Sequence, residues 1–411
     1  MNATLITAIG RGRKDDTGTA YSKTSYAING WNSPPTPFFA QAWLGSPQGQ
    51  IVDRVELVGT ATSSWSALVE EYRSDASGED LWLALEERCG EQNSRGVNNA
   101  DLSDLSALLT RALGREVHCH VLCHREVDDD SAGEILQRLL ALLPLDDASR
   151  SVFLDTTHGL RSLPLLALSA VQMADAFSPG LAARTHLVYG EFLGNPRGFT
   201  FDAVSRNLAI ADACRIWQQS LDAEPLAQVI AADFPALAES LRALSLTLHG
   251  NAFGKLNQQL KRLRNSLKTL GNVERQPWQP LLVSSLTSFA DSLDQPTLSS
   301  QLLALANLRA RCHQYGLAIL ALSEAATAVA CNQPVCQYED MQTAGRRYAD
   351  TLGRDLRNHW RYLFQVRNRI AHGANLVDQK GQITEQNLAA SYQRCHNLVS
   401  ALIRQERQVK N

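Results

Sequence analysis

The sequence predicts two domains of different class: an α/β unit with a mainly parallel sheet over residues 1–204, then an all-helical unit over residues 205–411. Three observations predict it. Short runs rich in Val, Ile, Leu and Thr alternate with helical patterns through the first half. From about Ser205 onward a helical period of about 3.6 residues takes over. The length, 411 residues, also calls for more than one core.

In chain order the strands are "TLITAIG" (Thr4–Gly10), "DRVELVGT" (Asp53–Thr60), "EVHCHVLCH" (Glu116–His124), "SVFLDTT" (Ser151–Thr157) and "RTHLVYGEF" (Arg184–Phe192). Between several of them stand the helical patterns "SWSALVEEY", "DLSDLSALLTRAL", "SAGEILQRLLALL" and "LPLLALSAVQMADAF". Such alternation implies right-handed crossovers between parallel neighbours, with ligands bound where loops leave the C-terminal strand edge. The second half is a series of amphipathic segments from "RNLAIADACRIWQQSL" to "QNLAASYQRCHNLVSALIRQ". Gly250, "GNVERQPWQP", "DQPT" and "NQPVC" punctuate it.

Hydrophobic residues make up 44% of the chain and charged residues 20%, the balance of a globular protein in water. The formal net charge is −3, so no overall basic field draws nucleic acid, and a polyanion must be met by a local site. The apolar run Leu5–Ile9 is too short for a secretory signal and precedes its basic residues, and no apolar stretch reaches membrane-spanning length. A cytoplasmic protein with no membrane partner is expected. Eight scattered cysteines predict no disulfide framework.

Three strands end in polar loops of small residues: "GRGRKDDTGTAYSKTSY" from Gly10, "GTATSSW" over Gly59–Trp65, and "DTTHGLRSLP" over Asp155–Pro164. Glycine admits a close backbone approach, while hydroxyls and helix-start N–H groups can hold phosphate oxygens. "GRG" lacks the third glycine of a dinucleotide fingerprint, and "GTATSS" lacks the Gly-Lys-Ser/Thr of a P-loop. "DTTHGLR" reads equally as an anion site or as a strand-to-helix turn capped by Asp155 or Thr157.

Near the C-terminus, "FQVRNRIAHGANL" (Phe364–Leu376) places Arg367, Asn368 and His372 within one and a half helical turns. Asn368 and His372 share a face at i,i+4, and Arg367 is long enough to reach round to it. Gly373 is a candidate C′ cap, which sets His372 in the last turn, where the helix dipole favours a positive imidazole. The pattern Arg-x4-His also occurs in "RDLRNH", Arg354 to His359. Taken alone, the hexapeptide "RNRIAH" reads as an ordinary helix end with salt bridges or caps.

Other clusters have plainer readings. Strand alternation sets His118 and His120 on one face of "HCHVLCH", with no second ligand pair to complete a metal tetrahedron, so a polar edge strand is expected. Cys331 and Cys336 lack a partnering pair and read as loop or buried thiols. The basic helix Lys255–Lys268 reads as a solvated face, "DDD" at 128–130 as a helix N-terminal flank, and Trp82 and Leu85 as core.

"DTTHG" at 155–159, with Arg161 and "LPLLAL" after it, resembles the signature of the CRISPR-associated DxTHG-motif family. "YSKTSYAING", "PFFAQAW", "VELVGTATSSW" and "HLVYGEF" stand in that family's order, and "RNRIAH" resembles the catalytic motif of HEPN ribonucleases. The resemblance implies a Rossmann-like CARF sensor domain over 1–204 and an all-α HEPN domain over 205–411. It implies that Gly10, Arg11, Thr60, Ser63, Ser64, Thr157, His158 and Arg161 line a cyclic oligoadenylate pocket at a dimer axis, with Asp155 kept as a loop organiser. It implies catalysis by Arg367, Asn368 and His372, two copies of each meeting in a homodimer or higher even oligomer. The expected activity is metal-independent cleavage of single-stranded RNA in type III CRISPR antiviral defence. No cofactor is implied, and the activator is cyclic tetra-adenylate before the hexa-adenylate. The alternatives are a binding-only regulator and a ring nuclease that degrades its own activator.

Overall fold

The computed structural model describes residues 2–10, 22–72, 76–89, 95–123, 129–159, 162–192, 194–270, 276, 278–331, 338–372 and 385–410. The chain folds as two compact units, residues 1–209 and 210–411. The first is mixed α/β and the second all-helical.

The first unit runs β1 (Ala3–Ala8), β2 (Ala27–Ile28), β3 (Trp31–Asn32), α1 (Phe39–Gly45), β4 (Val52–Thr60), α2 (Trp65–Tyr72), α3 (Ala76–Cys89) and α4 (Ser103–Leu113). It continues with β5 (Glu116–Cys123), α5 (Asp129–Leu142), β6 (Ser151–Asp155), α6 (Leu163–Phe177), β7 (Thr185–Glu191) and β8 (Arg197–Thr200). The strands form one sheet in the order β3-β2-β8-β7-β6-β1-β4-β5. Five consecutive strands, β5-β4-β1-β6-β7, are all parallel, with β5 at the sheet's edge, while β8 runs antiparallel to β7 and β3 to β2. The five strands read from the sequence are these five.

All six residues of β1 are buried, as a central parallel strand covered on both faces requires. Leu5 joins Phe39, Trp43, Trp65 and Leu105 on one face of the sheet. Ile6 and Ala8 join Ile135, Leu139, Leu163 and Val171 on the other. Leu85 is buried in the first cluster and Trp82 packs half-buried against it. The chain builds outward from β1 through β4 to β5, then returns to β6 on the far side of β1. Strand order therefore reverses beside β1, and there a crevice opens at the C-terminal edge.

Sequence periodicity misses β2, β3 and β8, together with α1 and α3. Strands of two residues carry no period to detect. The β2–β3 hairpin has instead a turn signature, Asn29-Gly30 with φ of 47° and 84°, the double positive φ of a type I′ turn.

The second unit comprises α7 (Asp202–Ser220), which crosses the division, α8 (Glu224–Ile230), α9 (Pro235–His249), α10 (Leu256–Leu270), α11 (Gln279–Ser292), α12 (Leu298–Arg311), α13 (Tyr315–Cys331), α14 (Tyr338–Thr351), α15 (Arg354–Ala371) and α16 (Glu385–Lys410). Helix α13 is predominantly apolar and packs against α12, α14, α15 and α16, which makes it the hub of the core. Helix α15 buries only the stripe Trp360, Leu363 and Val366. Among the described residues, no helix is long and apolar enough to cross a membrane.

Candidate functional site

In the α/β unit the loops after β1, β4 and β6 converge at the crevice. The carbonyl of Gly10 accepts from the N–H of Ser64 at 3.2 Å, joining the first loop to the second. A Cβ on Gly10 would stand 2.9 Å from the Gly159 nitrogen, so the first and third loops meet backbone to backbone. Gly159 has a φ of +95°, and a Cβ there would meet that of Ala8 at 2.7 Å. Only glycine serves at this contact.

Asp155, at the end of β6, is 6% exposed. One carboxylate oxygen accepts from the Thr7 hydroxyl at 2.7 Å and the other from the Thr157 N–H at 2.9 Å. Both oxygens hold the chain, so Asp155 organises the loop. Thr157 in turn accepts the N–H of Gly190 at 2.7 Å, which ties the loop to β7.

The other expected ligand residues divide by burial. Ser63 is 2% exposed; its hydroxyl donates to the Ile9 carbonyl at 3.0 Å and accepts from the Thr60 N–H at 2.9 Å. Thr60 is buried beside it. These two hydroxyls close the β4 turn onto β1, because a buried turn must satisfy its own backbone groups. Ser63, expected to line the pocket, is buried in this turn with its hydroxyl bonded to Ile9 and Thr60. Gly10, Ser64, Thr157 and His158 are half-buried at the crevice, while Arg11 and Arg161 lie outside the described residues. Half-buried Thr62, whose hydroxyl is 3.4 Å from that of Thr60, joins them and was readable only as one more hydroxyl of "GTATSS".

His158 has a task the sequence did not disclose. Its Nε2 accepts the N–H of Phe39 at 3.1 Å, at the first residue of α1, and its ring stands edge-on to Phe38 at 5.9 Å. Burial pushes its pKa below the ordinary 6.5, with Asp155 opposing in part. A neutral imidazole capping a helix N-terminus fits that position, since the dipole there disfavours positive charge.

The edge strand β5 settles its histidines. His120 lies 2.6 Å from buried Glu56 and His118 2.9 Å from Glu116. Burial raises the Glu56 carboxyl, but hydrogen bonds from His120 and Arg54 outweigh it and hold it below the usual range. Among the described residues no group of three His, Cys, Asp or Glu side chains is arranged to hold a metal ion.

In the helical unit, α15 presents the second candidate site. Arg367 donates from its guanidinium to Asn368 Oδ1 at 3.1 Å, so the longer side chain does reach round the helix. His372 stands one residue past the last helical position, at φ −100° and ψ 6°, and its N–H closes the helix on the Asn368 carbonyl at 3.0 Å. Expected within the last turn, it is the C-cap residue, exposed at the helix end; Gly373 lies outside the described residues. Arg367 and Asn368 line a cleft of about 580 Å³ between α13, α14 and α15, with Glu324 from α13 on the same wall. Burial raises the Glu324 carboxyl, and the nearby Arg367 offsets part of that. A second hollow, about 710 Å³ and lined by Gln50, Asp53, Arg115 and Glu116, lies at the N-terminal edge of β4 and β5. It is on the opposite edge from the crevice and holds none of the motif residues.

No protein-family model matches the chain. A stretch of 125 residues, 28% of the chain, is 25% identical to the CRISPR-associated protein MJ1674 of Methanocaldococcus jannaschii. The match covers 20% of that relative, so the chain spans about a fifth of its length. Over 98% of this chain and 95% of the other, the structure is similar to Enterococcus italicus Csm6 bound to cyclic hexa-2'-fluoro-hexa-dAMP, with a TM-score of 0.38 and 11% identity. Both likenesses are distant.

Proposed function

We propose that this protein is a single-stranded RNA endoribonuclease switched on by cyclic oligoadenylate, with a CARF-like sensor in the first unit and a HEPN-like nuclease in the second. The observation that carries it is the end of α15, where Arg367 is held by Asn368 and His372 is exposed one helical turn away. Cleaving RNA through its 2′-hydroxyl needs a proton acceptor, a proton donor and a cation for the phosphorane. His372 moves the proton, Arg367 stabilises the charge, and Asn368 fixes the guanidinium. One chain supplies one histidine, and a two-fold dimer supplies the pair. These groups make metal-independent chemistry the natural reading, with 2′,3′-cyclic phosphate or 3′-phosphate and 5′-hydroxyl ends.

The crevice of the first unit supports the sensor reading. Half-buried Gly10, Ser64 and Thr157 line it where a ring of phosphates would lie, and the scaffold beneath them is fixed by Asp155 and Ser63. A ring-cleaving role for His158 would first require its bond to Phe39 to break. The sequence likeness to a CRISPR-associated protein agrees with a place in type III antiviral defence.

The test is one assay: purified protein, a fluorescent single-stranded RNA and EDTA, with and without cyclic tetra-adenylate or the hexa-adenylate. Cleavage that needs the activator, survives the chelator and disappears in Arg367→Ala and His372→Ala is the expected result. Activator binding with no cleavage would leave a binding-only regulator.

A further inference from the structure

The cleft beside Arg367 is more basic than the chain that contains it. Arg346, Arg357, Arg361 and Arg367 line it against two carboxylates, Glu324 and Asp350, in a molecule of formal net charge −3. The four arginines are not equivalent. Arg357 donates to the carbonyls of Asp350 at 2.6 Å and Leu352 at 3.3 Å, and so caps the end of α14 as scaffold. Arg346 and Arg361 are exposed and have no hydrogen-bond or ion-pair partner among the described residues.

Helix α10 provides the contrast. It is basic in sequence, yet Arg262 pairs with Glu239 at 2.6 Å and Arg264 with Asp294 at 3.0 Å and Asp291 at 3.3 Å. The two arginines of α10 are answered locally, whereas Arg346 and Arg361 are not. Two aromatic side chains also line the cleft, Trp360 and Phe364, with ring centres 5.0 Å apart. Phe364 is half-buried and lines the cleft. Unpaired guanidiniums next to an aromatic face are what a single nucleic-acid strand requires, charge for its phosphates and a ring for a base. On α15 the lining residues Arg357, Arg361, Phe364, Arg367 and Asn368 recur on successive turns, about 5.4 Å apart along the axis, and so form a track.

We infer that this cleft is the path by which single-stranded RNA reaches Arg367, with Arg346 and Arg361 each holding a phosphate and Phe364 supporting a base. The inference rests on the ribonuclease reading and deepens it by naming where the strand lies.

The test uses the full chain carrying His372→Ala, which stops cleavage, and fluorescence anisotropy with a labelled single-stranded RNA across a salt series, with activator and EDTA. Arg346→Ala and Arg361→Ala should each weaken binding roughly tenfold and flatten the slope of log affinity against log salt by about 0.7. Arg262→Ala, on the paired helix, should change neither quantity. Phe364→Leu should weaken binding and leave the salt slope alone, because stacking releases no counterions. If the parent binds RNA and the two cleft variants match it in affinity and slope, the strand lies elsewhere; the path is overturned and the ribonuclease reading stands. If light scattering shows that the same variants alter the oligomeric state, the cleft is an interface between copies, which also overturns the inference. A wild-type chain that neither binds nor cuts RNA sinks the ribonuclease reading itself.

Discussion

Asp155 sits where solvent reaches 6% of its surface, and its two oxygens serve two different partners. Replacing it with Ala strands the Thr7 hydroxyl and the Thr157 N–H in the interior. The expected cost is about 2–4 kcal/mol, read as a lower urea midpoint, with Asp155→Asn recovering part of it. At His158 the effect depends on pH. Its folded pKa lies below 6.5, so the unfolded chain takes up a proton there first. The contribution of this residue is therefore complete above about pH 6.5 and is lost as pH falls from there to the folded value. Urea titrations at about pH 7.5 and 5.5 should show a steeper loss in the wild type than in His158→Gln, which keeps an acceptor for Phe39 without a titrating ring. Equal slopes would mean that His158 is not held neutral.

At the scale of elements, helix α15 divides its surface into a buried stripe of Trp360, Leu363 and Val366 and a basic one that ends at Arg367. Arg367→Lys keeps the charge but loses the fork that Asn368 orients. Turnover should drop on the order of a hundredfold with KM changed less, and single-turnover kinetics would show it. Asn368→Ala should fall between wild type and Arg367→Lys, because the arginine remains but is no longer held. The α15 motif was legible in the sequence because its residues are neighbours along the chain. The cleft was not, since Glu324 and Arg346 reach it from other helices, and linear spacing holds no record of such meetings. The same limit hid His158 on α1, a contact spanning 119 positions. Strands were legible where burial on both faces forces a continuous apolar run, as in β1 and β6, and illegible where two residues suffice, as in β2 and β3.

For the whole molecule, the proposed chemistry needs two copies of α15, so specific activity should fall on dilution through the dimer dissociation range. A turnover number constant down to picomolar protein would contradict the paired site. Activator binding can favour that pairing only by binding the competent arrangement better than the other. Where copies of the chain can join is narrowed by the strand order β3-β2-β8-β7-β6-β1-β4-β5. One rim of the sheet, β3, is two residues long, and along the other, β5, the N–H groups of Val117, Cys119 and Val121 already donate to the side chains of Thr110, Ser106 and Asn99. Both rims are blunted in the manner by which soluble proteins discourage strands from being added end on. Among the described strands a second copy, or an unfolded neighbour, therefore finds no open seam to extend, which guards against fibre-like growth through the largest hydrogen-bonded surface of the protein.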